Sequence, residues 1–282
     1  MGIYFYEMHF FEKSICWISW LALDVVLGAM AGMLFFSKLL HVDLPWPPFV
    51  LLGLAVWCIY NLDHYLDARK VELQSPRRIF HQNTNQVIPV FIVFFGILGL
   101  IGGFWWLGWG LELQLTLGLG ILIVGIRLVV LKFGRGWMKE FSIALFYVIG
   151  ISLIPILRAH ALDRSMELVL FLGLYLMLAL LNLLMLSQLD AEEDQKAGFF
   201  SATKNISPQK LHQWVRNLGF SLLVFQLALF VFLSSYFKIF GLILLLMTLV
   251  HVMVFMKKDL DPVQKRIRME WAFVFPWVLL LF

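Results

Sequence analysis

Charged residues are scarce in this chain of 282 residues: Asp, Glu, Lys and Arg make up 14% of it, against about 25% in a typical soluble domain. Hydrophobic residues make up 61%. This balance excludes an ordinary water-soluble globular domain and indicates an all-α protein that crosses a lipid bilayer several times. No basic run is long enough to indicate nucleic-acid binding, so we assign the net charge of +4 to connecting loops.

Several patterns of soluble enzymes are also absent. The two cysteines, Cys16 and Cys58, both lie in apolar segments, which favours ordinary packing over a disulfide or a metal pair. The seven histidines are scattered and lack zinc-ligand spacing. The chain has no Walker loop, and the glycines between residues 117 and 125 do not have the dinucleotide-binding spacing. Zinc, nucleotide and dinucleotide chemistry are therefore not indicated.

Long apolar segments are what the sequence does contain, and a spanning helix needs about 20 apolar residues. We predict nine spans in a single domain over residues 1–282, at 14–40, 46–66, 86–109, 111–132, 138–158, 165–189, 211–236, 238–256 and 264–282. The last is the weakest, because charged residues occupy its start and Pro276 interrupts it. Ser207-Pro208 and Asp261-Pro262 predict helix starts, since Ser and Asp are good N-caps and proline suits the first helical position.

The distribution of Lys and Arg predicts the orientation. With the N-terminus inside, nine spans place 17 of the 22 basic residues on the cytoplasmic side and four outside, and Arg127 remains within a span. The two longest polar connections, 68–85 and 195–210, fall on the cytoplasmic side. We expect them to form cap loops, although solvated connectors are an equally good interpretation of the loops alone.

Two of the apolar segments end in aspartates four residues apart. Asp63 and Asp67 close the second predicted span, and Asp190 and Asp194 close the sixth. Residues four apart share one face of a helix, and both pairs fall on the predicted cytoplasmic side. Either pair alone is typical of a solvated helix end. Two pairs on one side, each followed by basic residues, indicate a Mg²⁺ site, because this hard cation takes one or two carboxylates together with substrate phosphates.

Charged residues inside the spans are further candidates. Asp24 lies within the first span, where an aspartate is costly and is either functional or paired. Gly28 and Gly32 continue its helix face, which predicts close packing against another helix. Arg127 lies too deep in the fourth span for its charge to reach the interface easily. We expect it to meet Asp24, Glu140 or a ligand.

Uncharged polar side chains accompany the aspartates. Tyr60 shares a helix face with Asp63, and Asn182 shares one with Asp190. Lys132 ends the fourth span, where a phosphate contact and snorkelling to the interface both remain open. Interhelical hydrogen bonding is the favoured interpretation of the isolated polar residues Asn182, Gln188, Gln226 and His251.

The two aspartate pairs resemble the motifs of the UbiA superfamily of intramembrane prenyltransferases. The second pair, in DAEEDQKAG at 190–198, is close to that family's D-x-x-x-D followed by K-x-G. Lys132 stands where the family often has the Lys of Y-x-x-x-K, here without the Tyr. In the first motif, N-D-x-x-D-x-x-x-D, the last two aspartates match Asp63 and Asp67. Its Asn and first Asp are replaced by Ile59 and Tyr60, and Asn61 is out of register.

The resemblance implies a fold and an activity. The fold is a nine-helix UbiA-like bundle, and the activity is Mg²⁺-dependent transfer of a prenyl group from a prenyl diphosphate to an aromatic or other lipophilic acceptor. The metal and catalytic residues would be Asp63, Asp67, Asp190 and Asp194, and the diphosphate contacts Lys132, Lys196, Arg69 and Lys70. We add as candidate substrate-binding residues Arg127, Asn182, Asp24, Tyr60 and Asn61.

Two alternatives remain at this point. A transporter of a small solute or ion would use the aspartates as coupling residues, and it predicts broken helices beside carboxylates inside the membrane. A family member without catalysis would bind prenyl diphosphate and not turn it over. The sequence identifies neither the acceptor, nor the prenyl length, nor the oligomeric state.

Overall fold

The computed structural model describes residues 16–68, 76–133, 136–159, 165–191 and 207–282. All secondary structure within these ranges is helical. After a short helical stretch at 16–20, the elements are α1 (Leu23–Leu39), α2 (Trp46–Ala68), α3 (Pro76–Asn83), α4 (Ile88–Leu107), α5 (Leu111–Phe133), α6 (Gly136–Arg158), α7 (Ser165–Leu189), α8 (Pro208–Phe232), α9 (Ser235–Met256), α10 (Pro262–Ala272) and a 3₁₀-helix (Phe275–Leu281). Within these ranges seven helices, α2 and α4 to α9, are long and apolar enough to span a bilayer. The chain is therefore an all-α, multi-pass membrane protein.

The first and last predicted spans are interrupted helices. Ala22 adopts a left-handed conformation with φ 55° and ψ 26° and separates residues 16–20 from α1. With 17 residues, α1 is about 26 Å long, somewhat shorter than the hydrocarbon core. At the other end of the chain α10 stops at Ala272, and a turn leads to the 3₁₀-helix, in whose first turn Pro276 lies. Proline has no N–H to donate, which is consistent with the helix ending before it.

Consecutive long helices that are joined by short connections run antiparallel, and two contacts show where helix ends lie together. Tyr236, at the start of α9, donates a hydrogen bond to the carbonyl of Lys38 near the end of α1. Glu112, at the start of α5, pairs with Arg158 at the end of α6. We call this end of the bundle the opposite face. The other end, where α2, α5, α7 and α9 finish, is the motif face.

The glycine face of α1 lies at the centre of the bundle. This helix packs against α2, α6, α10 and the 3₁₀-helix. A methyl group on Gly28 would lie 2.8 Å from Cβ of Phe273, and one on Gly32 would lie 2.7 Å from Cδ1 of Ile151. The predicted close packing of this face is confirmed. It brings Asp24, one turn before Gly28, into the interior, next to the end of α10.

Aromatic side chains fill the space around the second half of α1. The ring of Phe35 meets those of Phe171, Tyr175 and Phe240 at centroid distances of 5.9, 5.6 and 5.3 Å, all edge-on. Edge-on contacts at these distances are favourable for aromatic pairs. In contrast, most side chains of α4 and α5 are at least partly exposed, as expected of lipid-facing helices.

Both predicted helix starts are confirmed. Ser207 Oγ accepts from the backbone N–H of Lys210 at 3.4 Å, and Asp261 Oδ1 accepts from that of Gln264 at 2.7 Å. In each case proline follows as the first helical residue. The start of α10 at Pro262 sets the direction in which its polar side chains point.

The close contact at Gly28 predicts a stability difference. Gly28→Ala should lower the melting temperature of the purified protein, because overpacking of a tight contact typically costs about 1–3 kcal/mol. The matched control is Gly125→Ala in α5, where an added methyl group meets nothing within 4 Å. Both variants gain the same helical propensity, so equal melting temperatures would contradict the packing described here.

Candidate functional site

Asp63 forms an ion pair with Arg127 on the motif face. Asp63 lies five residues before the end of α2, and Arg127 lies six residues before the end of α5, so the two side chains have a similar depth. Both are partly buried, with 24% and 38% of the side chain exposed. Arg127 therefore pairs with Asp63 and not with Asp24 or Glu140, the two protein partners expected from the sequence, because the carboxylate at the matching depth belongs to α2. The expected contact with a ligand stays a prediction.

Asp190, at the end of α7, pairs with an arginine from the last helix. Nη2 of Arg266 lies 2.5 Å from both Oδ1 and Oδ2 of Asp190. The backbone N–H of Asp190 donates to the carbonyl of Leu186 at 3.0 Å, so the helical hydrogen bonding of α7 extends to this residue. The side chain of Arg266 is only 13% exposed, and most of its hydrophobic stem is therefore removed from solvent.

The two ion pairs lie on the same face of the bundle. The hairpin of α5 and α6, followed by α7, returns the chain to the motif face, where Asp190 lies. Tyr60, one turn before Asp63 on α2, is close enough to Asp63, Asp24 and Glu270 to interact with them electrostatically. Because Glu270 lies on α10 one turn after Arg266, Tyr60 connects the two halves of the site.

Asp24 and Glu270 form a buried acid pair between the first and last segments. Asp24 is fully buried and Glu270 is 7% exposed, and the two carboxyl groups are adjacent. Oδ1 of Asp24 accepts from the backbone N–H of Val25 at 2.9 Å. Oε2 of Glu270 accepts from Ser19 Oγ at 3.2 Å. Nη1 of Arg266 lies 4.0 Å from Oε1 of Glu270, so this acid pair adjoins the Asp190 pair.

Three of these residues, Ser19, Arg266 and Glu270, are not among the candidates from sequence. For two of them a signal exists: Arg266 and Glu270 are four residues apart in a helix whose start is predicted by Asp261-Pro262, so they share a face. That their face meets Asp24 and Asp190 is a long-range contact, which local spacing does not indicate.

Two side chains from neighbouring helices donate hydrogen bonds to carbonyl groups at the point where the first segment is interrupted. The left-handed Ala22 interrupts the helical hydrogen bonds, which leaves carbonyl groups in need of donors. Nδ2 of Asn61 donates to the carbonyl of Leu21 at 3.2 Å, and Nε2 of His81 donates to that of Trp20 at 3.0 Å. Asn61, a candidate substrate-binding residue from sequence, is fully buried, and its side chain bonds to the backbone at this interruption.

The remaining candidates are only partly described. Asp67 is half-buried on α2, one turn beyond Asp63. Lys132 belongs to the last turn of α5, and its side chain lies outside the described part of the chain. The candidates that fall wholly outside the described residues are Arg69, Lys70, Asp194 and Lys196.

The isolated polar residues differ from expectation. Nδ1 of His251 donates to the carbonyl of Met247 at 2.7 Å within its own helix, so the predicted interhelical bond is wrong for its Nδ1. Oδ1 of Asn182, Oε1 of Gln188 and both polar atoms of Gln226 are buried and have no hydrogen-bond partner among the described residues. Burying a polar atom without a hydrogen bond costs free energy. We therefore expect these atoms to bond to partners beyond the described residues, including water.

The chemistry of the carboxylates fits Mg²⁺, although their grouping is incomplete. Across the described ranges, no three His, Cys, Asp or Glu side chains are close enough together to hold a metal ion. Mg²⁺ does not require such a cluster, because it keeps several waters and binds through one or two carboxylates plus substrate phosphates. Asp63 and Asp190 can supply these oxygens, and each now faces a guanidinium that balances its charge.

No protein-family model matches this chain, and no curated protein and no solved structure is similar to it. The function is therefore inferred from the motifs and from the geometry of the motif face.

His81 makes the first segment sensitive to pH. Burial, with a smaller contribution from the charge of Arg77, lowers the pKa of His81 from its ordinary 6.5 to about 4. Its Nδ1 is buried and has no hydrogen-bond partner among the described residues, so a proton there would leave a charge unsolvated. The unfolded chain takes up this proton at a higher pH than the folded chain, which ties stability to pH.

We expect the stabilisation from neutral His81 to be complete above about pH 6.5 and to be lost as the pH falls towards 4. Melting temperatures between pH 7.5 and 5 measure this. His81→Gln, which keeps an N–H donor and does not titrate, should reduce the fall. The control His212→Gln removes an exposed histidine on α8 and should keep it. A pH dependence that is the same in wild type and His81→Gln would refute the assignment.

Proposed function

We propose that this chain is a Mg²⁺-dependent integral membrane prenyltransferase, which moves a prenyl group from a prenyl diphosphate to an aromatic or other lipophilic acceptor. The observation that supports this most is the presence of two aspartates from different helices, Asp63 and Asp190, on one face of the bundle, each beside an arginine. Carboxylates suit Mg²⁺, and guanidinium groups suit the oxygens of a diphosphate.

The residues have separate roles in this proposal. The four aspartates Asp63, Asp67, Asp190 and Asp194 would hold Mg²⁺, which would supply positive charge to the departing diphosphate. Contacts to the diphosphate would come from Lys132, Lys196, Arg69 and Lys70. The C–O bond of the prenyl diphosphate breaks with both electrons leaving on the diphosphate. The acceptor forms the new bond to the allylic carbon and loses a proton, which the released diphosphate takes up. The apolar bundle would keep water from the allylic cation.

The proposal extends to the fold and its orientation. Counted with the interrupted first and last segments, the chain has nine membrane segments in a UbiA-like bundle. The excess of basic residues at the motif face supports a cytoplasmic location for the N-terminus and for both aspartate motifs. A prenyl diphosphate would then meet the site from the cytoplasmic leaflet, with its chain in the bilayer.

The test is transfer from radiolabelled prenyl diphosphate to a panel of aromatic acceptors, with the purified protein in lipid nanodiscs. We expect transfer to require Mg²⁺. Asp63→Asn and Asp190→Asn should each lower the initial rate by roughly a hundredfold or more, as is usual when one electrostatic contact to a transition-state charge is removed.

Glu112→Gln is the matched control, because it removes a carboxylate paired with an arginine on the opposite face. Its rate should equal that of the wild type. Wild-type rates in Asp63→Asn and Asp190→Asn would show that the aspartates are not the site. Diphosphate binding by the wild type without any transfer would instead identify a catalytically inactive prenyl-diphosphate binder.

A transporter of a small solute or ion is a second candidate, and one observation favours it. The first and last segments are interrupted beside the buried carboxyl groups of Asp24 and Glu270, which is the arrangement that transporters use to bind ions. Proteoliposomes distinguish the two functions. Flux of Na⁺ or protons without prenyl product, lost in Asp24→Asn and kept in Asp190→Asn, would support the transporter.

A further inference from the structure

Arg266 lies between two carboxylates that belong to different parts of the protein. Its Nη2 is 2.5 Å from both oxygens of Asp190, which is partly buried at the end of α7. Its Nη1 is 4.0 Å from Oε1 of Glu270, in the interior. The N-cap at Asp261 fixes the start of α10, and the spacing of four residues puts Arg266 and Glu270 on one face. The guanidinium is therefore shared between the motif face and the buried acid pair.

The pair on the opposite face has a different geometry. There Nε and Nη2 of Arg158 donate separately to the two oxygens of Glu112, at 2.6 and 2.7 Å. Such a fork joins two nitrogens to two oxygens and holds both side chains in one arrangement. Arg266 instead approaches both oxygens of Asp190 through one nitrogen. Its guanidinium contacts two carboxylates, Asp190 through Nη2 and Glu270 through Nη1.

Two carboxyl groups lie within 4.0 Å of the guanidinium of Arg266, those of Asp190 and Glu270, and Glu270 also accepts a hydrogen bond from Ser19. Removing the partner of a buried charge is normally costly. Arg266 avoids that cost, because Glu270 stays beside it when Asp190 is occupied by a cation.

We propose that Arg266 is a positioning residue for the substrate diphosphate. In this structure it holds Asp190. When Asp190 binds the divalent cation, Nη2 of Arg266, which contacts Asp190 in this structure, turns to a diphosphate oxygen, while Glu270 holds the guanidinium from the interior side. This inference rests on the proposed function, since it names a further contact of the same site.

Binding measurements on the full-length protein in nanodiscs test this without turnover. The probes are inorganic diphosphate with Mg²⁺, followed by calorimetry, and Mn²⁺ alone, followed by electron paramagnetic resonance. Arg266→Gln should weaken diphosphate binding by roughly tenfold to a hundredfold, the range for losing a hydrogen bond to a charged group. The same variant should bind Mn²⁺ alone as tightly as the wild type or more tightly, because Arg266 no longer competes for Asp190.

Two further variants separate positioning from folding. Arg266→Lys keeps the charge and should recover part of the diphosphate affinity, so it still tests the proposal where Arg266→Gln does not fold. Arg158→Gln removes the ion pair of the opposite face and should leave both affinities unchanged, even where the melting temperature falls. Equal weakening of diphosphate and Mn²⁺ binding in both Arg266 variants would indicate a structural role and overturn the proposal.

The result for the wild type separates this inference from the proposed function. If the wild type binds diphosphate and transfers prenyl groups while Arg266→Gln keeps the wild-type diphosphate affinity, the role of Arg266 is wrong and the prenyltransferase stands. If the wild type binds no diphosphate, the proposed function fails and the role of Arg266 fails with it.

Discussion

A bilayer offers no hydrogen bonds, so the protein itself must satisfy each broken helix end and each charge within it. This constraint organises the motif face. Where Ala22 interrupts the first segment, Asn61 and His81 donate to the freed carbonyl groups. Where α10 ends, Glu270 lies against Asp24 and accepts from Ser19. The first and last segments are thereby joined by polar contacts.

The same constraint explains why the aspartates of the motif face are accompanied by arginines. A carboxylate near lipid is costly unless a cation is close, and Asp63 and Asp190 each have one. In this structure these arginines balance the charges of the two aspartates. In the proposed complex, a metal ion would take over the carboxylates and the arginines would become available to a diphosphate. The same charged residues would then serve in two arrangements: aspartate paired with arginine, or aspartate bound to metal and arginine bound to diphosphate.

Local patterns in the sequence predicted local structure well. Ser207 and Asp261 cap the helices that they were expected to start, and the glycine face after Asp24 is closely packed. The left-handed Ala22 had no signal, because alanine rarely adopts this conformation. The partner of Arg127 was also missed, since residue spacing within a helix describes one face of that helix and not which neighbour lies opposite.

The central claim is that Asp63 and Asp190 serve one metal–diphosphate site. A density map of the protein in nanodiscs with Mn²⁺ and a non-hydrolysable prenyl thiodiphosphate tests it most directly. We expect metal density in contact with both carboxylates, with the diphosphate on the motif face and the prenyl chain in the bundle. Metal density at Asp24 and Glu270, or a motif face with both aspartates still paired to their arginines and no ligand beside them, would contradict it.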